Sequence, residues 1–197
     1  MLLRRRMQLL IHSQYEALHT MPPPADPRVF EQLAVPLLPA LYNHAYWLTR
    51  NQEEAEDLTQ EAISKALRAF DSFQRETNFK AWIFRILRNA FLTSRTSIAA
   101  TRTVFLEDHQ DVLESAADSL TPEDHLIFAG SEQTMQAAME QLQPPLREVL
   151  LLCDVEEMKY KDIAVILEVP IGTVMSRISR ARSALRKLLL QRLGESL

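Results

Sequence analysis

The spacing of apolar residues is the feature that most limits how this 197-residue chain can fold. Along most of the chain, apolar side chains recur three and four residues apart, and no segment alternates apolar and polar residues for more than a few positions. The first spacing is typical of an α-helix with one buried face, and the second of a β-strand. Only three glycines are present, so few residues suit hairpin turns. The sequence therefore predicts an all-α protein.

Interruptions of this periodicity divide the chain into four segments. Residues 1–35 are predicted to be an N-terminal extension, because the prolines within 21–27 enforce extended backbone. Residues 36–98 are predicted to form one helical domain and residues 124–197 a second. Between them, residues 99–123 lack apolar periodicity and collect acidic side chains, which is typical of a flexible solvated linker. We therefore expect two small helical domains joined by an acidic flexible linker.

Seven helices are expected within and beside these domains. Their approximate ranges are 37–49, 53–70, 79–96, 123–141, 145–154, 160–167 and 173–192, and a loop is expected at 71–78. In the third helix the predicted inward side chains are Trp82, Ile83, Ile86, Leu87, Ala90 and Phe91. This inward position is typical of a purely structural core aromatic, which is one interpretation of Trp82.

The charge is distributed unevenly. The chain has a net charge of -4, whereas residues 99–141 alone contain nine acidic residues and one basic residue. A protein that binds DNA unaided neutralises phosphates with many basic groups. Either DNA is not the ligand, or a partner supplies part of the affinity.

The cysteine content and the hydropathy pattern indicate the cellular compartment in which the chain is expected. A single cysteine excludes an internal disulfide and a cysteine-rich zinc scaffold, and it fits a reducing cytoplasm. Cys153 is expected to be a small buried hydrophobe, with a redox switch as the alternative. No apolar run approaches the ~18 residues of a membrane span, so no membrane insertion is expected.

The helices at 160–167 and 173–192, joined by a turn of about five residues, have the pattern of a helix-turn-helix. Thr173 is a candidate N-cap of the second helix. Ser176, Arg177 and Arg180 lie outside its apolar stripe, where short polar and arginine side chains can reach phosphates and base edges of DNA. The alternative is a solvated basic face on a structural helix.

Two sets of motifs, in order along the chain, resemble the extracytoplasmic-function sigma factors of the bacterial sigma-70 family. The C-terminal promoter-binding domain of that family is resembled by LQPPLREVLLLC at 142–153, YKDIA at 160–164 and VPIGTVMSRISRAR at 169–182. The N-terminal domain is resembled by AEDLTQE at 55–61 and FKAWIFRILRNA at 79–90. The resemblance covers about residues 36–190.

The resemblance implies a factor that binds core RNA polymerase, recognises minus-10 and minus-35 promoter elements and promotes DNA melting. It implies polymerase contacts by Asp57, Gln60 and Glu61, although a plain solvated helix side is the alternative there. It implies minus-10 contacts by Asn78, Lys80, Trp82, Arg85, Arg88 and Asn89, with the loop at 71–78 holding an extruded base. It implies minus-35 contacts by Thr173, Ser176, Arg177 and Arg180. An anti-sigma protein is a further implied partner.

Three positions depart from the family pattern. Met175 and Ser179 stand where many relatives have a basic or bulky residue, so the bases recognised can differ. Glu168 replaces a glycine that is usual in the turn, so a left-handed backbone there would carry a steric cost.

No enzymatic motif accompanies these features. The five histidines are scattered without metal-ligand spacing, and the sequence has neither a glycine-rich phosphate loop nor a nucleophile elbow. We therefore expect no catalysis, metal or cofactor. Two other functions stay open: a helix-turn-helix regulator that binds operators without polymerase, and an interaction adaptor that sequesters a partner.

Overall fold

The computed structural model describes residues 27–74, 77–101 and 132–194, and these contain helices and turns but no strand. The predicted all-α class is thereby confirmed. The residues form two units, an N-terminal one that includes 27–101 and a C-terminal one that includes most of 132–194. Most of the N-terminal extension and most of the predicted linker lie outside the described residues. Within the described ranges, no helix has the length and apolar character needed to cross a membrane.

The N-terminal unit is a small helical bundle. Its helices are α1 (Pro27–Ala34), α2 (Leu38–Thr49), α3 (Gln52–Ala69) and α4 (Phe79–Thr101), with 3-10 turns at Val35–Leu37 and Phe70–Ser72. Helix α3 packs against both α2 and α4. The predicted helices at 37–49, 53–70 and 79–96 correspond to α2, α3 and α4. Helix α4 continues five residues beyond its predicted end, into the start of the segment predicted as a linker.

The junction between α2 and α3 is fixed by local hydrogen bonds. Arg50 has left-handed backbone, with φ 59°, and its N–H donates to the Tyr46 carbonyl at 2.8 Å. Asn51 then caps α3, because its Oδ1 accepts from the N–H groups of Glu53 at 2.9 Å and Glu54 at 3.2 Å. These bonds satisfy backbone groups that the two helix ends leave open. The connection between α2 and α3 therefore consists of only Arg50 and Asn51.

Helix α1 lies inside the segment predicted as an extension. Phe30 and Ala34 are fully buried in the N-terminal unit. Pro27 has the fixed φ and the missing N–H that suit a first helical position, so the proline-rich stretch ends where the helix begins. The unit thus starts at least nine residues before the predicted boundary at residue 36.

The C-terminal unit contains the predicted helix-turn-helix. Its helices are α5 (Glu132–Gln141), α6 (Pro144–Leu150), α7 (Tyr160–Leu167) and α8 (Ile171–Gly194). Helix α8 packs against α5 and α6. After α6 the chain widens into a π turn at Leu151–Val155, in which the Glu156 N–H donates to the Leu151 carbonyl at 2.9 Å. The range 160–167 coincides with its prediction, whereas the helix predicted at 145–154 is divided by this turn.

The turn between α7 and α8 is shorter than predicted and begins with strained backbone. Glu168 has φ 56° and ψ 42°, the left-handed conformation anticipated for a turn that usually has glycine. The Pro170 carbonyl accepts the first bonds of α8, from Thr173 N–H at 2.9 Å and Val174 N–H at 3.2 Å. Helix α8 therefore begins at Ile171. The prediction of Thr173 as its N-cap is wrong, because Thr173 already lies in the first helical turn.

Replacing Glu168 with glycine should stabilise the C-terminal unit by roughly 1 kcal/mol, because glycine adopts left-handed backbone without the Cβ clash. The Glu168 side chain is exposed, so little packing is lost. Hydrogen exchange of backbone amides in α7 and α8 would measure the change in opening free energy. Glu168→Ala is the matched control, since it removes the carboxylate but keeps the Cβ. Equal protection in the two variants would contradict this explanation.

Candidate functional site

The outward side of α8 brings the four predicted minus-35 residues together. The buried stripe of α8 consists of Val174, Ile178, Ala181, Leu185 and Leu189. Thr173, Ser176, Arg177 and Arg180 follow helical spacing on the other side, half-buried except for the exposed Arg180. The Ser176 hydroxyl donates to the Thr173 carbonyl at 3.0 Å, and Arg180 Nε donates to the Ser176 carbonyl at 3.4 Å. These four side chains form a basic and hydroxyl-bearing surface over the first turns of α8.

An ion pair within the C-terminal unit fixes α8 against the segment after α6. Arg182 donates from Nη2 to Asp154 Oδ1 at 2.7 Å and from Nε to Oδ2 at 3.4 Å, a forked geometry. The hydrogen bond with Asp154 raises the pKa of Arg182. Sequence reasoning missed the pair, because its members are 28 residues apart and follow no local pattern. Since both side chains are partly exposed, we expect it to orient α8 more than to stabilise the unit.

Cys153, predicted to be a small buried hydrophobe, lies beside this ion pair and is half-buried. Burial, together with Asp154, raises the pKa of the thiol to about 11, and this outweighs the opposite effect of Arg182. The thiol is therefore protonated at neutral pH and is a weak nucleophile. This environment does not favour the alternative of a redox switch.

In the N-terminal unit five rings pack together at both ends of the predicted loop. This aromatic cluster consists of Phe30, Phe70, Phe73, Phe79 and Trp82. The Trp82 ring centroid is 5.0 Å from that of Phe73 and 5.5 Å from that of Phe79. Trp82 is half-buried, whereas the four phenylalanines are buried. Trp82 thus packs on the core with one part of its ring and exposes another part to solvent, and its minus-10 contact stays a prediction.

The predicted minus-10 residues are divided between two faces of α4. Trp82, Arg85 and Asn89 follow i, i+3, i+7 spacing and share one face, on which Asn89 is exposed. Lys80 and Arg88 share a second face with the buried Phe84, and Lys80 Nζ lies 5.8 Å from the Phe84 ring centroid.

Asn78 occupies the position before α4. Its Oδ1 accepts from the Ala81 N–H at 3.4 Å, and its carbonyl accepts from the Trp82 N–H at 3.0 Å. Asn78 therefore holds the first turn of α4, on which Trp82 lies. Of the loop before it, residues 75 and 76 are outside the described part of the chain.

The predicted polymerase-binding residues lie along one side of α3. Asp57 and Glu61 are exposed, Gln60 is half-buried, and all three line a common surface pocket with Ser64, Lys65 and Arg68. Lys65 Nζ pairs with Glu61 Oε1 at 2.7 Å. The buried side of the same helix includes Ala55, Leu58 and Ala62, so the polar side is not required by the core. In the described residues, no group of three or more His, Cys, Asp or Glu side chains could hold a metal ion.

Two family profiles match the two units. The profile described as Sigma-70 region 2 matches residues 33–101, and the one described as Sigma-70, region 4 matches residues 132–185. Both matches agree with the predicted resemblance in kind and in order along the chain.

Individual relatives match over most of the chain. ECF RNA polymerase sigma factor SigE of Mycolicibacterium smegmatis is 35% identical over 79% of this chain and 60% of its own length. RNA polymerase sigma-H factor of Pseudomonas aeruginosa is 32% identical over 87% of this chain and 91% of its own. Among solved structures, the sigma factor RpoE of Bartonella quintana, crystallised with the anti-sigma factor NepR, matches with TM-score 0.64 and 33% identity. That match covers 82% of this chain and 97% of RpoE.

Proposed function

Because this chain belongs to the extracytoplasmic-function sigma factors of the sigma-70 family, we propose that it binds core RNA polymerase and directs it to promoters. In this proposal it recognises minus-10 and minus-35 elements and promotes DNA melting for transcription initiation. The observation that carries the proposal is the helix-turn-helix, whose second helix presents Ser176, Arg177 and Arg180 outward from its first turns.

The minus-35 element is assigned to α8. An α-helix fits the major groove of duplex DNA, and arginine can donate two hydrogen bonds to guanine there. Helix α8 contains basic but no acidic residues, so nothing on it repels phosphates. Arg177 and Arg180 are placed to contact phosphates or base edges, and Thr173 and Ser176 supply short hydroxyl donors.

The minus-10 element is assigned to the face of Trp82, Arg85 and Asn89, together with the loop that ends at Asn78. Capture of single-stranded DNA requires basic groups for phosphates and an aromatic surface for unstacked bases. Trp82 offers a ring held by Phe73 and Phe79, and Arg85 lies on the same helix face. In this assignment Lys80 and Arg88 contact the sugar-phosphate backbone of the DNA from the face of α4 that they share with Phe84.

Core polymerase is assigned to the side of α3 with Asp57, Gln60 and Glu61. Its carboxylates suit a basic docking surface on a partner. The proposal also accounts for the chain's net charge of -4, because the polymerase would supply most of the nonspecific affinity for DNA. The two domains predicted at 36–98 and 124–197 form part of this proposal, with α1 added to the first domain and with the linker predicted at 99–123 beginning after Thr101.

An anti-sigma protein is the second proposed protein partner. RpoE of Bartonella quintana, of which 97% is matched by this chain, was crystallised in complex with the anti-sigma factor NepR. We therefore expect a partner of this class to bind the present chain and block its access to polymerase.

The purified chain should bind promoter DNA specifically only when core polymerase is present. Its net negative charge opposes unaided phosphate binding. The test is an electrophoretic and run-off transcription assay on a randomised promoter library, with the chain alone, core alone and both together. Specific initiation only by the mixture supports the proposal. Tight operator binding by the chain alone would instead support a polymerase-independent regulator, and absence of initiation with retained core binding would support an adaptor.

Replacing Arg177 or Arg180 with alanine should weaken promoter use by roughly 1 to 3 kcal/mol if the residue contacts a base. Binding to core polymerase should not change, because the proposed polymerase surface is on α3. Initiation rates and core-binding titrations would separate the two effects. Lys187→Ala removes one positive charge farther along α8 and is the matched control. Undiminished transcription by both arginine variants would refute the assignment of α8 to the minus-35 element.

A further inference from the structure

Two apolar side chains at the start of α8 lie outside its buried stripe and are exposed to solvent. Ile171 is 50% exposed, and Met175, one turn later, is 55% exposed. Their i, i+4 spacing places them on one edge of the outward face, in a row that continues to Ser179. Ser176 lies between this row and the row that contains Arg177 and Arg180. The two rows therefore flank Ser176 on opposite sides of the outward face.

The chemistry of the surroundings indicates what covers this apolar row. All charged residues of α8 are basic: Arg177, Arg180, Arg182, Arg186, Lys187 and Arg192. The uncharged neighbours of Met175 on the outward face are Gly172, Ser176 and Ser179. A ligand that complements this surface has negative charge on its outside and an apolar group between the charges.

Duplex DNA has that combination in its major groove. Phosphates border the groove, and the 5-methyl group of thymine is the apolar feature that a side chain can contact there. Methionine is unbranched and polarisable, so it adapts to such a group better than a branched side chain does. Helical side chains lean toward the N-terminus, so Met175 leans over the turn that contains Ile171.

We propose that Met175, supported by Ile171, recognises thymine methyl groups in the minus-35 duplex and so determines part of the promoter specificity. This inference rests on the proposed function, because it needs α8 in the major groove. It differs from the arginine contacts in kind, since it concerns an apolar group that is absent from cytosine, guanine and adenine in the groove.

The test uses holoenzyme assembled from the full chain and core polymerase. Promoters are first selected from a library randomised in both elements, and thymines enriched in the minus-35 element are then replaced one at a time with deoxyuridine. This replacement removes only the methyl group. At one or two positions, the affinity of wild-type holoenzyme should fall about threefold to fivefold, the expected effect of one buried methyl or methylene.

The variants Met175→Ala and Met175→Gln should bind the thymine and deoxyuridine promoters equally, and Met175→Gln keeps the length of the side chain. Leu190→Ala is the matched control, because Leu190 is 51% exposed near the other end of α8. It should retain the wild-type discrimination. Thermal unfolding of each variant would verify that the substitution leaves the unit folded.

Three results would overturn the inference alone: no thymine in the selected minus-35 element, equal wild-type affinity for thymine and deoxyuridine, or full discrimination by Met175→Ala. Full discrimination by Met175→Ala would be expected if a protein, rather than DNA, covers Ile171 and Met175. Failure of holoenzyme to select any duplex element would overturn the proposed function as well, and the two failures are therefore distinguishable.

Discussion

Replacing Phe30 with alanine is expected to lower the free energy of unfolding of the N-terminal unit by about 3 to 5 kcal/mol, the usual cost of truncating a buried aromatic residue. Phe30 is fully buried. Its ring centroid lies 5.2 Å from that of Phe70 and 6.1 Å from that of Phe79, both with edge-to-face geometry. Alanine would lose these contacts and leave a cavity that two rigid rings cannot fill.

Tryptophan fluorescence during urea unfolding measures this loss selectively. The chain has two tryptophans, Trp47 and Trp82, and both belong to the N-terminal unit. Leu33→Ala is the matched control, because Leu33 lies on the same helix but is 38% exposed. We expect it to change the free energy of unfolding by less than about 1 kcal/mol. Similar small losses in both variants would show that α1 does not contribute to the core of the unit.

The position of Phe30 links stability to promoter opening. Phe30 contacts Phe70 and Phe79, and Phe79 contacts Trp82, so α1 supports the ring that we assign to minus-10 capture. Under conditions in which the Phe30→Ala variant is still folded, permanganate footprinting of unpaired thymines should show less open complex. Occupancy of the minus-35 element should be less affected, because α8 belongs to the other unit.

The sequence predicts the helices that have regular apolar spacing, but it does not predict most of their exact boundaries. The range of α7 was predicted correctly, because its apolar positions and flanking turn residues are all local. The sequence did not predict helix α1, because the prolines before it resemble a linker, although Phe30, Leu33 and Ala34 have the i, i+3, i+4 spacing that indicates a helix. Thr173 fits the composition of an N-cap, yet the helix begins earlier, because the Pro170 carbonyl accepts its first hydrogen bonds.

The sequence also did not predict that α4 packs against more than one helix. On α4, the expected inward residues Ile83, Leu87 and Ala90 are buried, whereas Trp82, Ile86 and Phe91 are half-buried. Phe84 was not expected to be inward and is fully buried, because α4 contacts both α2 and α3 and so buries a wider face than one stripe. Lys80 and Arg88 lie on the Phe84 side of this wide buried face, and Trp82 lies on another side of α4. Periodicity along one helix carries no information about how many neighbours it has.

His44 is a buried histidine on α2 whose ionisation conflicts with the fold. It is 1% exposed, and its ring centroid lies 5.3 Å from that of Phe84. In the part of the chain that the structure describes, neither Nδ1 nor Nε2 has a hydrogen-bond partner. Burial, and secondarily the charge of Arg88, lowers the pKa of His44 from 6.5 to about 4. The native state therefore requires the neutral imidazole.

Acidification from pH 6.5 to about 4 should consequently destabilise the N-terminal unit by about 3 kcal/mol through His44 alone. Below pH 6.5 the unfolded chain binds a proton at this histidine, whereas the native unit does not until the pH approaches 4. Because the unfolded state binds more protons in this window, stability falls as the pH falls. Well above pH 6.5 both states are neutral at His44, and its contribution is constant.

The His44→Leu variant isolates this contribution, because leucine fills much of the same volume and does not titrate. Both proteins contain the same carboxylates, so the difference between their urea-unfolding free energies, followed by tryptophan fluorescence, cancels the titration of those groups. We expect the difference to grow in favour of the variant between pH 6.5 and 4 and to be constant between pH 7 and 8. A difference that does not change with pH would mean that the pKa of His44 is the same in the native and unfolded states, which would contradict the burial argument.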